Sequence, residues 1–243
     1  MIPERAYLNR ILKYTLYMTF IWAGLICSTA SCREPNAEEL EQMIQSPIWT
    51  DRWGVADKLI SSANLDTNRT VQILLNAIRS EIENPVSTEY RIGSYRTISE
   101  TLLQQYFFAL VSLGPSIATA LHSYADSTAV SFRPWPLMAL GFLKDQSIYE
   151  DIKRLTSYPD PLVRSMAISA LVEYGKIGDI SIFERALSDS FSVKTTTHII
   201  LEDGKPATAM VFPIREQAIS ALRKLNLTVS RDSAGKFIIV KPK

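Results

Sequence analysis

Two histidines, His122 and His198, and two cysteines, Cys27 and Cys32, are the chain's whole supply of imidazole and thiol. A zinc site draws three or four such ligands into one sphere, and its sequence signature is a close pairing of them. His122 lies in a stretch that reads as an apolar helix and His198 in one that reads as a strand, with no His-x-x-x-His or Cys-x-x-Cys companion. No metal ligand is assigned. Nor does the chain carry Gly-x-Ser-x-Gly, a Walker A run or Gly-x-Gly-x-x-Gly, and its nine glycines are too few and too scattered to cradle a phosphate. The acid pairs Glu38-Glu39 and Glu202-Asp203 fall in a polar tether and a turn, where solvated charge is the default. Nothing selects a pair of carboxylates for acid–base work. The expectation is a protein without catalytic residues and without a cofactor.

Composition narrows the partners. With 243 residues the chain can bury a sizeable core, and 47% hydrophobic against 21% charged residues excludes both a disordered tail and a multispan membrane protein. Lys and Arg number 26 against 25 Asp and Glu, so the basic excess of a nucleic-acid binder is missing. A protein partner of unknown identity is expected, and no nucleic acid; oligomeric state is left open.

The cysteines belong to an address. Arg5, Arg10 and Lys13 precede the apolar run Tyr14–Ile26, which ends in Cys27-Ser28-Thr29-Ala30-Ser31-Cys32. A basic start, a short apolar core and small residues after it make a secretory signal. The core spans 13 residues, short of the ~20 that cross a bilayer comfortably. Thr29-Ala30-Ser31-Cys32 resembles a bacterial lipobox, with Thr29 where that motif usually has Leu. The resemblance implies a signal peptide over residues 1–31 and a lipid on Cys32. Removing that segment discards Cys27, Arg5, Arg10, Lys13 and Glu4, leaving one thiol and 23 basic against 24 acidic residues. An unpaired thiol in an oxidising compartment needs a role, and acylation supplies one. Cleavage after Ala30, which frees a soluble protein, and an uncleaved anchor from Leu12 to Ala30 are the competing readings. Residues 32–46 then form a tether whose later part, with Leu40, Met43 and Ile44 at helical spacing, reads as a possible first helix. The location expected is the cell envelope, facing the periplasm or the exterior.

Beyond the tether the chain repeats. Val163-Arg164-Ser165-Met166-Ala167-Ile168-Ser169-Ala170-Leu171 aligns with Ile214-Arg215-Glu216-Gln217-Ala218-Ile219-Ser220-Ala221-Leu222 at an offset of 51. Phe132-Arg133 and Leu137-Met138-Ala139-Leu140 occupy the same places 31 residues earlier, and Ala109-Leu110 falls on Ala139-Leu140 after another 30. Arg52 and Leu59 give a looser copy near the start. Such periods mark stacked units, because one unit cannot bury its apolar face alone. Each reads as two helices. In the clearest, Asp160 is the N-cap, Pro161 opens the helix, and Val163, Met166, Ala167, Ala170 and Leu171 form its buried stripe. Second helices are expected over Ser116–Tyr124, Ile148–Leu155 and Ile180–Leu187.

The pattern Asp160-x-x-Val163-Arg164-x-x-Ala167-x-x-Ala170-Leu171 resembles the HEAT repeat, a pair of antiparallel helices. In the last copy Arg215, Ala218, Ala221 and Leu222 match, with Val211 standing where the Asp belongs. The resemblance covers residues 47–226, strongly after residue 130. It implies a mainly all-α fold: a right-handed α-solenoid of about four to five helical hairpins. It further implies a structural ladder in which Asp160, Arg133, Arg164 and Arg215 link neighbouring repeats.

Two stretches interrupt the helices. Residues 192–212 carry β-branched runs around Glu202-Asp203-Gly204-Lys205, a hairpin signal, and account for the longer offset of 51. Residues 227–243 read as a second hairpin, either capping the stack or joining the first in a four-stranded sheet. Aromatic residues beside arginine suit binding surfaces. Tyr90, Arg91, Tyr95 and Arg96 in a long polar connection are the candidate partner contacts, together with Trp135 in Arg133-Pro134-Trp135-Pro136, whose other reading is packing between repeats. The function expected is a non-catalytic interaction scaffold at the envelope. A HEAT-like bilin-lyase enzyme and a glycan- or peptidoglycan-binding structural protein are the alternatives.

Overall fold

The computed structural model describes residues 35–61, 66–86, 91–92, 96–126, 131–200, 206–233 and 237–240, with backbone alone at 91–92, 96, 196–200 and 206–207. The signal segment, Cys32, Tyr90 and Tyr95 lie outside the described residues. Residues Asn36–Lys243 form one compact unit, mainly helical with small antiparallel hairpins.

It opens with α1 (Ala37–Gln45), started by a capping box. The Asn36 side chain accepts from the Glu39 N–H and the Glu39 carboxylate accepts from the Asn36 N–H, both at 2.9 Å. Leu40 and Ile44 are buried, and α1 packs on α3 (Val55–Ser61) and α4 (Thr67–Glu83). In the stretch read as a tether and possible first helix, Ala37–Gln45 is helical, and its buried face makes it part of the body. The short α2 (Trp49–Arg52) precedes α3, and Asp66 caps α4.

Next come three pairs of the same design. α5 (Ile98–Ser112) leads to α6 (Ala118–Ala125), α7 (Pro134–Phe142) to α8 (Tyr149–Leu155), and α9 (Pro161–Glu173) to α10 (Ile180–Ala186). A one-turn 3-10 helix opens each second helix, beginning at Pro115, Gln146 and Ile177, so the interval is 31 residues both times. Between the helices of each pair the chain turns through a left-handed residue: Gly114 (φ 78°), Lys144 (φ 63°) and Gly175 (φ 64°). Glycine takes that conformation without steric cost.

Packing follows the repeat. α5 meets α7, α7 meets α9, and α9 meets α11 (Pro213–Lys224), while α6 packs on α7, α8 on both α7 and α9, and α10 on α11. α7 is apolar on all sides because it has neighbours on all sides: every residue from Pro134 to Gly141 is buried. Gly141 marks the tightest point, where a Cβ would lie 2.9 Å from Ile152 Cδ1 and 3.1 Å from the Ala170 methyl. Trp135, 2% exposed, sits in this core with its ring 5.9 Å from Phe107 in an edge-on arrangement. Its place as a partner contact is thereby corrected: no surface of the indole is left for one.

Among the described residues, three two-stranded ladders complete the unit. β1 (Arg91–Ile92) pairs with β2 (Arg96–Thr97) within the connection read as loop. β3 (Val193–Ile200) and β4 (Pro206–Val211) form the inserted hairpin, with Val193 opposite Val211 and a register shift between Thr196 and Ile200. β5 (Thr228–Arg231) pairs with β6 (Phe237–Val240); Val229 of β5 and Phe237 and Ile239 of β6 rest on the core, and β5 lies beside α11. Among the described residues the two hairpins stay in separate sheets, so the four-stranded alternative is not formed there.

Candidate functional site

A cleft of about 410 Å³ opens where the N-terminal ends of α5 and α9 meet the approach to β3 and the start of α11. Thr97, Glu100 and Gln104 line one side, Pro161, Leu162 and Ser165 another, and Phe191, Ser192, Val193, Lys194 and Pro213 the third. Local chemistry sets each wall. Thr97 and Glu100 form a capping box: the Thr97 N–H donates to Glu100 Oε2 at 2.7 Å, and the Glu100 N–H to Thr97 Oγ1 at 3.1 Å. Asp160 Oδ1 accepts the Leu162 N–H at 2.7 Å and so fixes the first turn of α9.

The third wall hangs on Asp189. Arg164 donates to it twice, Nε to Oδ2 at 2.9 Å and Nη2 to Oδ1 at 3.2 Å, and gives Nη1 to the carbonyls of Tyr158 and Pro159. Arg215 Nε donates to the Asp189 carbonyl at 2.6 Å, and Asp189 Oδ1 also accepts the Phe191 N–H at 2.9 Å. Two of the ladder arginines thus converge on one residue that the repeat pattern did not include. Asp160 acts as a helix cap rather than an arginine partner, and Arg133 is an exposed residue at the N-cap of α7. The expected ladder is corrected to the trio Arg164, Asp189 and Arg215, because residue 189 follows α10 at the point where the chain turns back toward α9. Arg164→Ala should lower stability by about 1–3 kcal/mol, the usual cost of stranding partly buried polar partners. Equilibrium unfolding in urea checks it, and an unchanged midpoint would remove Arg164 from this role.

On the side of the second helices, His122 Nε2 lies 2.8 Å from Asp145 Oδ2, correcting its apolar placement in the sequence reading. Ser147 donates its N–H and its hydroxyl to Asp145 Oδ1 at 2.9 and 2.7 Å, and the Tyr174 hydroxyl donates to the Asp145 carbonyl at 2.6 Å. Burial opposes ionisation of Asp145, but the bonds from Ser147 and His122 together outweigh it and hold the carboxyl below its usual range. Burial and the nearby Asp145 push the Tyr174 hydroxyl up to about 12. The Ser147 hydroxyl and the imidazole take different oxygens of Asp145, so this arrangement does not pass a proton from the hydroxyl to the histidine. It joins α6 to the turn before α8.

A buried ion pair went unseen in the sequence. Arg52 Nη1 lies 2.7 Å from Glu81 Oε1, the two side chains 6% and 0% exposed. Ser99 Oγ donates to Glu81 Oε2 at 2.9 Å and accepts the Val86 N–H at 2.6 Å, while the Tyr106 hydroxyl donates to the Arg52 carbonyl at 3.0 Å. Burial raises the Glu81 carboxyl above its usual range, against the pull of the Arg52 charge. Arg52 did stand out, as the arginine of the loosest repeat copy. Glu81 carried no signal, being one more acid in a helix.

Of the remaining contact candidates, Arg91 and Arg96 face each other's strand across the β1–β2 ladder, where only their backbone is described. His198 lies in β3. Among the described residues no group of three or more His, Cys, Asp or Glu could hold a metal ion, and no helix is long and apolar enough to cross a membrane. Neither a protein-family model nor a curated protein matches the chain.

Proposed function

We propose that this chain is a non-catalytic protein-interaction module: a short HEAT-like α-solenoid, held at the bacterial cell envelope by a lipid on Cys32, that grips an extended segment of a partner protein in the cleft between α5, α9 and β3. The regular 31-residue interval and the serial packing of α5, α7, α9 and α11 support the solenoid reading. The cleft is the observation that carries the function. It offers the apolar faces of Leu162, Phe191 and Pro213 beside polar groups on Gln104, Ser165 and Lys194. That mixture suits a peptide with alternating side chains better than a flat protein face. The inserted hairpin supplies one wall, as insertions on the rim of a repeat array commonly do.

The test is capture from crosslinked envelopes using the full-length lipidated chain, with glycan binding and turnover assayed in parallel. A stoichiometric protein partner is expected, its recovery falling about tenfold or more in Leu162→Asp and Lys194→Glu, the loss of a contact worth about 1.4 kcal/mol. Lys194 is exposed, whereas Leu162 is half-buried against the core, so melting curves accompany the capture and a loss in Leu162→Asp counts only at wild-type stability, with Lys194→Glu as the independent variant. Full recovery in both variants, or binding to glycan alone, would sink the cleft as the docking site. Cys32→Ser should release the protein from the membrane fraction with a loss of mass equal to the lipid; unchanged fractionation and mass would remove the anchor.

A further inference from the structure

Asp179 lies at the last position of the 3-10 turn that opens α10, and it is 1% exposed. Its Oδ1 is bonded to the hydroxyl of Tyr149, the first residue of α8, so the contact ties two consecutive second helices together. Oδ2 is sealed from solvent with no hydrogen-bond partner among the described residues. An anionic oxygen in that position forfeits its hydration and receives nothing in return. A neutral carboxyl escapes most of that penalty: with the proton on Oδ2 no net charge is buried, while Oδ1 goes on accepting the Tyr149 O–H.

The surrounding charges do not remove the problem. From α8 come Tyr149, Glu150 and Lys153; from the approach to the turn comes Lys176; from the C-cap of α9 comes Tyr174, whose ring packs edge-on against Tyr149 at 5.1 Å. The Lys176 ammonium stands 3.3 Å from the centre of the Tyr149 ring, and that of Lys153 stands 5.3 Å from it. The hydrogen bond from Tyr149 and these two cations favour the carboxylate and Glu150 opposes it, but neither lysine forms an ion pair with Asp179 among the described residues. Desolvation is the largest influence and lifts the group above its ordinary 3.8.

We propose that burial lets the folded chain keep a proton on Asp179 that the unfolded chain gives up, which makes the contact between α8 and the α10 turn tightest in acid and loosened as the solution turns basic. The sign follows from where the proton is lost first. Below 3.8 both folded and unfolded chains are protonated at this position and the contribution is fully present. As the pH rises, the unfolded chain ionises first, and stability declines until the folded carboxyl gives up its proton as well. For an envelope protein, this would couple the stiffness of the repeat array to the acidity outside.

Two measurements on the full chain decide it. Carbon-detected NMR of the aspartate carboxyls should show Asp179 titrating above 3.8, and Lys176→Met should move that midpoint further up. In urea unfolding from about pH 3 to about pH 8, the wild-type folding constant should fall relative to that of Asp179→Asn, by up to tenfold per pH unit. The asparagine keeps the shape and a bond to Tyr149 but has no proton to lose. An Asp179 carboxyl that titrates at or below 3.8 would overturn the proposal on the wild type alone, whatever the variant does. Parallel stability curves for the two proteins would overturn it independently.

Discussion

Glu81→Ala is expected to destabilise the fold by about 3–5 kcal/mol, the cost of stripping a buried charge of its partner. The Arg52 guanidinium would remain in place, 6% exposed, with its Nε already lacking a hydrogen-bond partner among the described residues. Ser99 would lose its acceptor, and with it the restraint on the Val86 backbone where the chain leaves α4. The damage spreads because the pair joins α2 to α4, and Ser99 brings in α5. Replacing both partners together, Arg52→Met with Glu81→Leu, should cost far less and could even stabilise, since two desolvation penalties disappear with the pair. Urea unfolding of the two single variants and the double variant forms a cycle. A Glu81→Ala loss below about 1 kcal/mol would mean that water reaches the site and the pair is not buried in solution.

Trp135→Ala should cost about 3–5 kcal/mol, as large-to-small changes at fully packed aromatic positions do. The indole is 2% exposed and lies against Phe107, which also touches Phe142 edge-on at 5.4 Å. Because α7 is surrounded, neighbouring helices cannot collapse into the space without shifting the whole row. Trp135→Phe should retain most of the stability and all of the partner recovery. If Trp135→Phe melted normally but lost the partner, the indole would be a contact after all, and the core assignment would fall.

The pair design of the fold was open to reading along the chain. Asp160 and Pro161 start α9, the alanines at 167, 170, 218 and 221 are buried where helices approach closely, and Gly175 adopts the left-handed turn. Each of these rests on chemistry within about one helical turn, and so is visible in neighbouring letters. The inserted hairpin was legible for the same reason, since β-branched runs flank its turn residues. The short β1–β2 ladder was not, because two-residue strands leave no alternation to detect.

The candidate sites divided differently. Trp135 between two prolines has the same letters whether it faces a partner or a neighbouring helix, and burial alone separates the two. Arg164 was singled out by its repeat position, but its partner Asp189 stands 25 residues later, beyond the pattern. Tyr149 and Asp179 are 30 residues apart and Arg52 and Glu81 29, so neither pair has a local signature.

From the letters alone came the repeat interval, the caps and the hairpin insertion, because each is set by short-range propensity. Which charges are buried, which arginines share a carboxylate and where a cleft opens were decided only when distant helices packed. Desolvation and pairing depend on who the neighbours in space are, and here those neighbours lie about 25 to 30 residues away along the chain.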